Sequence, residues 1–239
     1  MQSANAGDRQ LETLRLYGAL MEVREDWGGR LVLCCGEGCA TSRVPAGVSI
    51  AGGATLVLDG DPDAVKAAMR RGELDFVVNA LDEALRALKN EVRLRRPLSV
   101  GLTADVSATL REMVERGVLP DLLLMGANQN AQPILVNESI GALRAAGMGL
   151  RLMENVDGEW RGKREPHMEE YLPAANAAEL RAVDERLLAI LPVDDPVRRR
   201  WIQRVPQYLR EARSGGRWVW LTDGERQQIC GYADFRIER

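Results

Sequence analysis

Between Arg30 and Met125 the chain alternates short apolar runs with segments of helical periodicity, and this rhythm restricts the fold more than any other feature of the sequence. The run Arg30-Leu-Val-Leu-Cys-Cys35 stops at Gly36, Ala54 to Leu58 stops at Asp59-Gly60-Asp61, and Asp75 to Asn79, Pro97 to Leu102 and Leu119 to Met125 follow. Runs this short, apolar and without alternation read as strands buried on both faces. Helix-compatible segments separate them: Ser42 to Ile50, broken by Pro45; Pro62 to Arg71, with Asp61 as its cap; Ala80 to about Arg95; and Thr103 to Gly117. Strands alternating with crossover helices predict an α/β protein with a parallel, doubly wound sheet of five or more strands.

Outside this core the rhythm fades. Leu11 to Glu25 has helical spacing and ends at Gly28-Gly29. Asn137 to Ala146 reads as a helix, Met148 to Arg164 as loop or hairpin, Ala174 to Leu191 and Pro196 to Arg213 as helices, Arg217 to Leu221 as one returning strand, and Asp223 to Cys230 as a short helix. The expected organisation is an N-terminal helix over residues 1–28, a sheet domain over 29–150, and a largely helical extension over 151–239 that completes the same domain.

Composition narrows the function classes. A net charge of −3 provides no electrostatic footprint for nucleic acid or an anionic membrane, and no apolar run is long enough to span a bilayer. The first residues lack the basic-then-apolar order of a secretory signal, so the expected compartment is the cytoplasm. Three of the four cysteines, Cys34, Cys35 and Cys39, crowd one segment. That spacing is neither a disulfide framework nor a zinc motif, and with a single histidine no metal site is expected; the thiols read as small buried hydrophobes.

The turn after the first strand carries the chemistry. Gly36 and Gly38 follow a buried strand and precede a helix, and Asp59 ends the next strand. In dinucleotide-binding sheets the first glycine permits the tight turn, the second lets backbone N–H groups approach the diphosphate, and the acid accepts from a ribose hydroxyl. Here Thr41 stands in the third glycine position, Glu37 adds negative charge, and Arg43 is placed to offset it. The alternative is a plain strand-to-helix turn. Asp105 follows the fourth strand, as a ligand contact or a helix cap. Asn128, Gln129 and Asn130 follow the fifth, as polar ligand readers or turn residues. His167 sits among Glu165, Glu169 and Glu170 and reads as a solvated side chain. Trp201, Trp218 and Trp220 read as packing.

Several of these pieces fall in step with one family. Gly36-x-Gly38, Pro45 and Ala51-Gly-Gly53 resemble the glycine-rich NAD loop of urocanase (urocanate hydratase). Ala80-Leu-Asp-Glu-Ala-Leu85 is similar to that family's helix start. Leu98-Ser-Val-Gly-Leu102 with Val114-Glu-Arg-Gly-Val-Leu-Pro-Asp121 is the most specific match, and Val205-Pro-Gln-Tyr-Leu-Arg210 with Arg217-Trp-Val-Trp-Leu221 adds a second block. The resemblance implies a Rossmann-like domain, a cytoplasmic homodimer and a tightly held NAD+ that acts as an electrophile. It places the phosphate loop at Gly36, Gly38, Cys39, Ala40 and Thr41 and the ribose acid at Asp59. The Asn-Ala pair after the fourth strand falls on Asp105 and Val106, and the run after the fifth strand on residues 126–130, including Asn128, Gln129 and Asn130.

The departures lie at the chemical positions. Cys39, Ala40 and Thr41 replace a Gly-Met-Gly stretch, Ala64 replaces an arginine, and Asn130 replaces a histidine and cannot move a proton. The segment between Arg210 and Arg217, where the family's essential cysteine belongs, contains none. Hydration of urocanate is therefore not expected. Three readings follow: a relative that still binds NAD or a related nucleotide, a scaffold or regulatory relative acting through protein contacts, and a hydratase or lyase with another substrate.

Overall fold

The computed structural model describes residues 6–36, 38–125, 133–152 and 167–230. The chain divides into two compact units, Asp26–Val156 and Met1–Glu25 with Asp157–Arg239. The N-terminal helix thus groups with the C-terminal segment.

The first unit is built on a six-stranded sheet. Its elements are β1 (Leu31–Cys35), α2 (Val44–Ala51), β2 (Ala54–Asp59), α3 (Pro62–Arg71), β3 (Phe76–Val78), α4 (Leu81–Arg93), β4 (Leu98–Thr103), α5 (Val106–Glu115), β5 (Leu122–Met125), α6 (Pro133–Ala145) and β6 (Gly149–Leu152), α1 being the N-terminal helix described below. The strand order is β3-β4-β2-β1-β5-β6, and every neighbouring pair is parallel. The parallel α/β architecture expected from the rhythm is present. The sixth strand corrects the loop-or-hairpin expectation at Met148: Gly149–Leu152 pairs with β5, and its short, Gly-containing sequence carries too little periodicity to announce a strand.

Both faces of this sheet are covered, which is why its strands are apolar throughout. Leu33, Leu56, Leu58, Val100, Leu102 and Leu123 form one buried cluster with Leu81, Ala84 and Leu88 of α4, Leu110 and Met113 of α5, and Ile140 and Leu143 of α6. The alternate strand residues face α2 and α3. There α3 approaches closely: a Cβ on Gly101 of β4 would lie 2.8 Å from both Val65 and Leu74. The helix signals behave as read. Asp61 accepts from the N–H groups of Asp63 and Ala64 at the start of α3, and Gly72 ends that helix in the left-handed conformation.

The second unit contains α1 (Ala6–Val23), β7 (Met168–Ala174), α7 (Ala177–Ile190), α8 (Pro196–Tyr208), a short 3-10 turn (Glu211–Arg213), β8 (Gly215–Leu221) and α9 (Asp223–Cys230). Two strands occur here where one was expected, and they form an antiparallel sheet of their own rather than returning to the large one. The charges of Met168–Ala174 obscured a period-two pattern in which Glu170, Leu172 and Ala174 are buried. A two-stranded ribbon is marginal by itself. Side chains complete it by bonding the backbone of β8: the Gln10 amide accepts from Trp218 N and donates to Gly216 O, Trp201 Nε1 donates to Trp218 O, and Arg198 donates to Trp220 O.

The buried charges of this unit are paired. Arg217, fully buried, forms two 2.7 Å bonds with Asp184. Arg198 binds Asp195 and both carboxylate oxygens of Glu225. Trp201 and Trp220 are buried against Tyr17, with ring centroids 5.6 and 6.5 Å away, and the Tyr17 hydroxyl donates to Val197 O. They are packing residues, as their spacing suggested.

Candidate functional site: the turn at the end of β1

In an open α/β sheet, ligands bind beyond the carboxyl ends of the strands where the chain reverses its direction of travel across the sheet. Here that point lies between β1 and β5. From β1 the chain moves to β2, β3 and β4 on one side, then crosses to β5 and β6 on the other. The segment from Gly36 to Arg43 lies at this point, joining β1 to the start of α2. The segment after β5, with Asn128, Gln129 and Asn130, is outside the described residues, as is Glu37.

Gly36 and Gly38 perform the turning role read from the sequence. Their φ values are +112° and +82°, in the region open to glycine, and Gly36 N donates to Leu58 O at 3.1 Å. Five of the amides that follow are spent on the chain itself. Cys39 N donates to Gly36 O (3.2 Å), Ala40 N to the Asp59 carboxylate (3.3 Å), Thr41 N to Gly38 O (3.2 Å), and Ser42 N to Cys39 O (3.3 Å). Val44 N is taken by the Ser42 hydroxyl, and Pro45 has no N–H to give. The Thr41 hydroxyl donates to Gly38 O and the Ser42 hydroxyl to Cys39 O. The Cys39 and Ala40 side chains are wholly buried beneath the turn.

Asp59 is the residue whose position departs furthest from its expected role. It is 1% exposed. One carboxylate oxygen accepts from Ala40 N and the other from Asp61 N, the latter an Asx turn at the end of β2. It ties the exits of β1 and β2 together instead of offering an acceptor at the surface. Arg43 is near a carboxylate of the chain: its guanidinium lies 3.9 Å from Glu73, which also binds Arg71. Asp105 caps α5, accepting from Ala108 N at 2.7 Å, and Val106 is the first residue of that helix.

An NAD+ held in the manner the resemblance implies needs free main-chain donors for its diphosphate and an accessible carboxylate for its ribose. The amides of Cys39, Ala40, Thr41 and Ser42 are committed, and Asp59 is buried. These residues do not fit the dinucleotide in that manner. Cysteine chemistry gains nothing here either. Burial, with help from Cys39, raises the Cys34 thiol well above its ordinary value and pushes Cys35 up to about 12, so neither is a thiolate near neutral pH.

The sequence reading missed the bracing of this turn by Asp59 and the Arg43–Glu73 contact. The run Asp59-Gly-Asp61 did hold a signal, since an aspartate two residues before another backbone N–H is Asx-turn chemistry. Among the described residues, no group of three or more His, Cys, Asp or Glu is arranged to hold a metal, and no helix is long and apolar enough to cross a membrane. Compared with known families, residues 11–129 match the model of the urocanase Rossmann-like domain, a fold of nucleotide-binding type.

Proposed function

We propose, from the premise that the chain belongs to the urocanase family through its Rossmann-like domain, that it is a non-hydrating member whose cofactor turn has become a structural brace and which acts through protein contacts. The observation that carries this reading is the commitment of the Cys39, Ala40, Thr41 and Ser42 amides to acceptors within the chain, with Asp59 as one of them. A diphosphate would have to break several of these bonds before making its own. The substitutions at the family's chemical positions, Asn130 for histidine and a cysteine-free segment from Glu211 to Gly216, agree with it.

The test is to titrate the purified protein with NAD+ and NADH at millimolar concentration and follow the melting temperature, since a ligand of the native state alone must raise it. No shift, no nucleotide absorbance in the purified protein and no loss of urocanate absorbance are expected. Co-purified NAD, or a saturable shift, overturns the reading. The resemblance makes self-association the first protein contact to examine, and a strict monomer by light scattering counts against that contact.

A second reading, retention of a nucleotide without turnover, has one observation in its favour. Gly38 sits at the sheet's reversal point with φ +82°, and a Cβ added there would meet no atom of the described residues within 4 Å. Gly36 and Gly38 would then lie in the contact surface. The same titration separates the two readings.

A further inference from the structure

The thiols of Cys34, Cys35 and Cys39 have no part in the proposed function, yet two of them meet. Cys34 is the fourth residue of β1 and Cys39 follows the two glycines; both are fully buried. Their thiols are within hydrogen-bonding reach of each other, and the Ser42 hydroxyl also reaches Cys34. The turn that brings them together is held by the bond from Cys39 N to Gly36 O and by the positive φ of Gly36 and Gly38. Cys35, the next residue along the strand, belongs instead to the cluster on the opposite face of the sheet with Leu33 and Leu58.

We propose that Cys34 and Cys39 are an oxidisable pair, forming a disulfide across the β1 exit turn that fastens the turn in its self-bonded form. The oxidant class is a small-molecule disulfide such as oxidised glutathione. The Cys39 thiol, in the turn, gives up its proton and attacks one sulfur of the oxidant, releasing one glutathione thiol and leaving a mixed disulfide. The Cys34 thiol then gives up its proton and attacks the Cys39 sulfur, releasing the second glutathione. Two protein thiols are oxidised and one external disulfide is reduced to two thiols, so atoms and electrons balance.

Burial sets the kinetics. A thiol without solvent access and with a raised pKa is a slow nucleophile, so the first attack waits for local opening of the glycine turn. The expected time course is on the order of minutes to hours, levelling off with increasing oxidant once opening limits the rate. Once made, the bridge is shielded from reductant for the same reason.

The experiment is incubation of the native protein with oxidised glutathione, followed by unfolding, alkylation of remaining thiols and mass spectrometry of the tryptic peptide spanning 31–43. The expected result is a peptide lighter by two hydrogens, with Cys34 and Cys39 unalkylated, in both wild type and Cys35→Ala. In Cys34→Ser, glutathione should stay attached at Cys39 because the remaining neighbour, Cys35, faces the other side of the sheet. A glutathione cap persisting on wild-type Cys39, a bridge from Cys35, or full alkylation of both thiols after prolonged treatment overturns the proposal. If Cys34→Ser does not fold, fragment ions of the Cys35→Ala peptide still assign the bridge. The inference is independent of the nucleotide titration: either can fail while the other stands.

Discussion

The carboxylate of Asp59 at the end of β2 accepts the backbone N–H of Ala40, 19 residues earlier in the chain, at 3.3 Å inside the protein. This contact turns a nominal ligand residue into part of the fold. Asp59→Ala leaves the Ala40 and Asp61 amides without their acceptor, which costs about 1–3 kcal/mol for a buried group. The expected outcome is a lower midpoint in urea unfolding, with no change in response to NAD+. An unchanged midpoint would remove the bracing role.

At Gly101 a helix lies close on the sheet of the first unit. A methyl group there meets Val65 and Leu74 at 2.8 Å. Gly101→Ala should destabilise by about 1–3 kcal/mol through overpacking, read as a fall in melting temperature. Gly38→Ala meets no atom of the described residues, so its expected cost is the strain of positive φ.

Arg198 and Glu225 bind each other through two bonds of 2.6 and 3.0 Å with little solvent around either. Removing one partner strands a buried charge. Arg198→Ala is expected to cost about 3–5 kcal/mol, measured as equilibrium unfolding of the full chain, and a loss under 1 kcal/mol would place the pair among ordinary surface contacts.

The same pair sets a pH dependence. Burial works to raise the Glu225 carboxyl, but the Arg198 guanidinium and the Thr222 N–H outweigh it and hold the group below its ordinary value. A carboxyl lowered in the folded state contributes stability that is complete above its unfolded value, about 4.3, and disappears as pH falls through the folded one. Denaturation midpoints from pH 6 down to about pH 2 should therefore fall more steeply in wild type than in Glu225→Gln. Parallel curves would exclude this source of acid sensitivity.

The legible part of this protein was the part governed by local pattern. Buried parallel strands need no alternation, so β1, β2, β4 and β5 stood out as apolar runs, and Asp61 and Asp105 marked helix starts through chemistry confined to a few residues. The strand Met168–Ala174 was hidden because its adjacent glutamates fall on both faces, Glu170 on the buried one, and Gly149–Leu152 because an edge strand of four residues has little period to show. At the site, glycine positions and turn residues were readable, while the direction of each side chain was not.

Residue order alone established the covered parallel sheet, the glycine turn after β1 and the family kinship, since these follow from hydrophobic spacing and short motifs. Tertiary structure decided what the turn does. Whether Asp59 faces a ribose or the Ala40 amide, and whether Cys34 meets Cys39, depend on how β1 and β2 lie side by side. Hydrogen-bond direction and burial are set by that neighbouring strand, and no single segment of sequence encodes them.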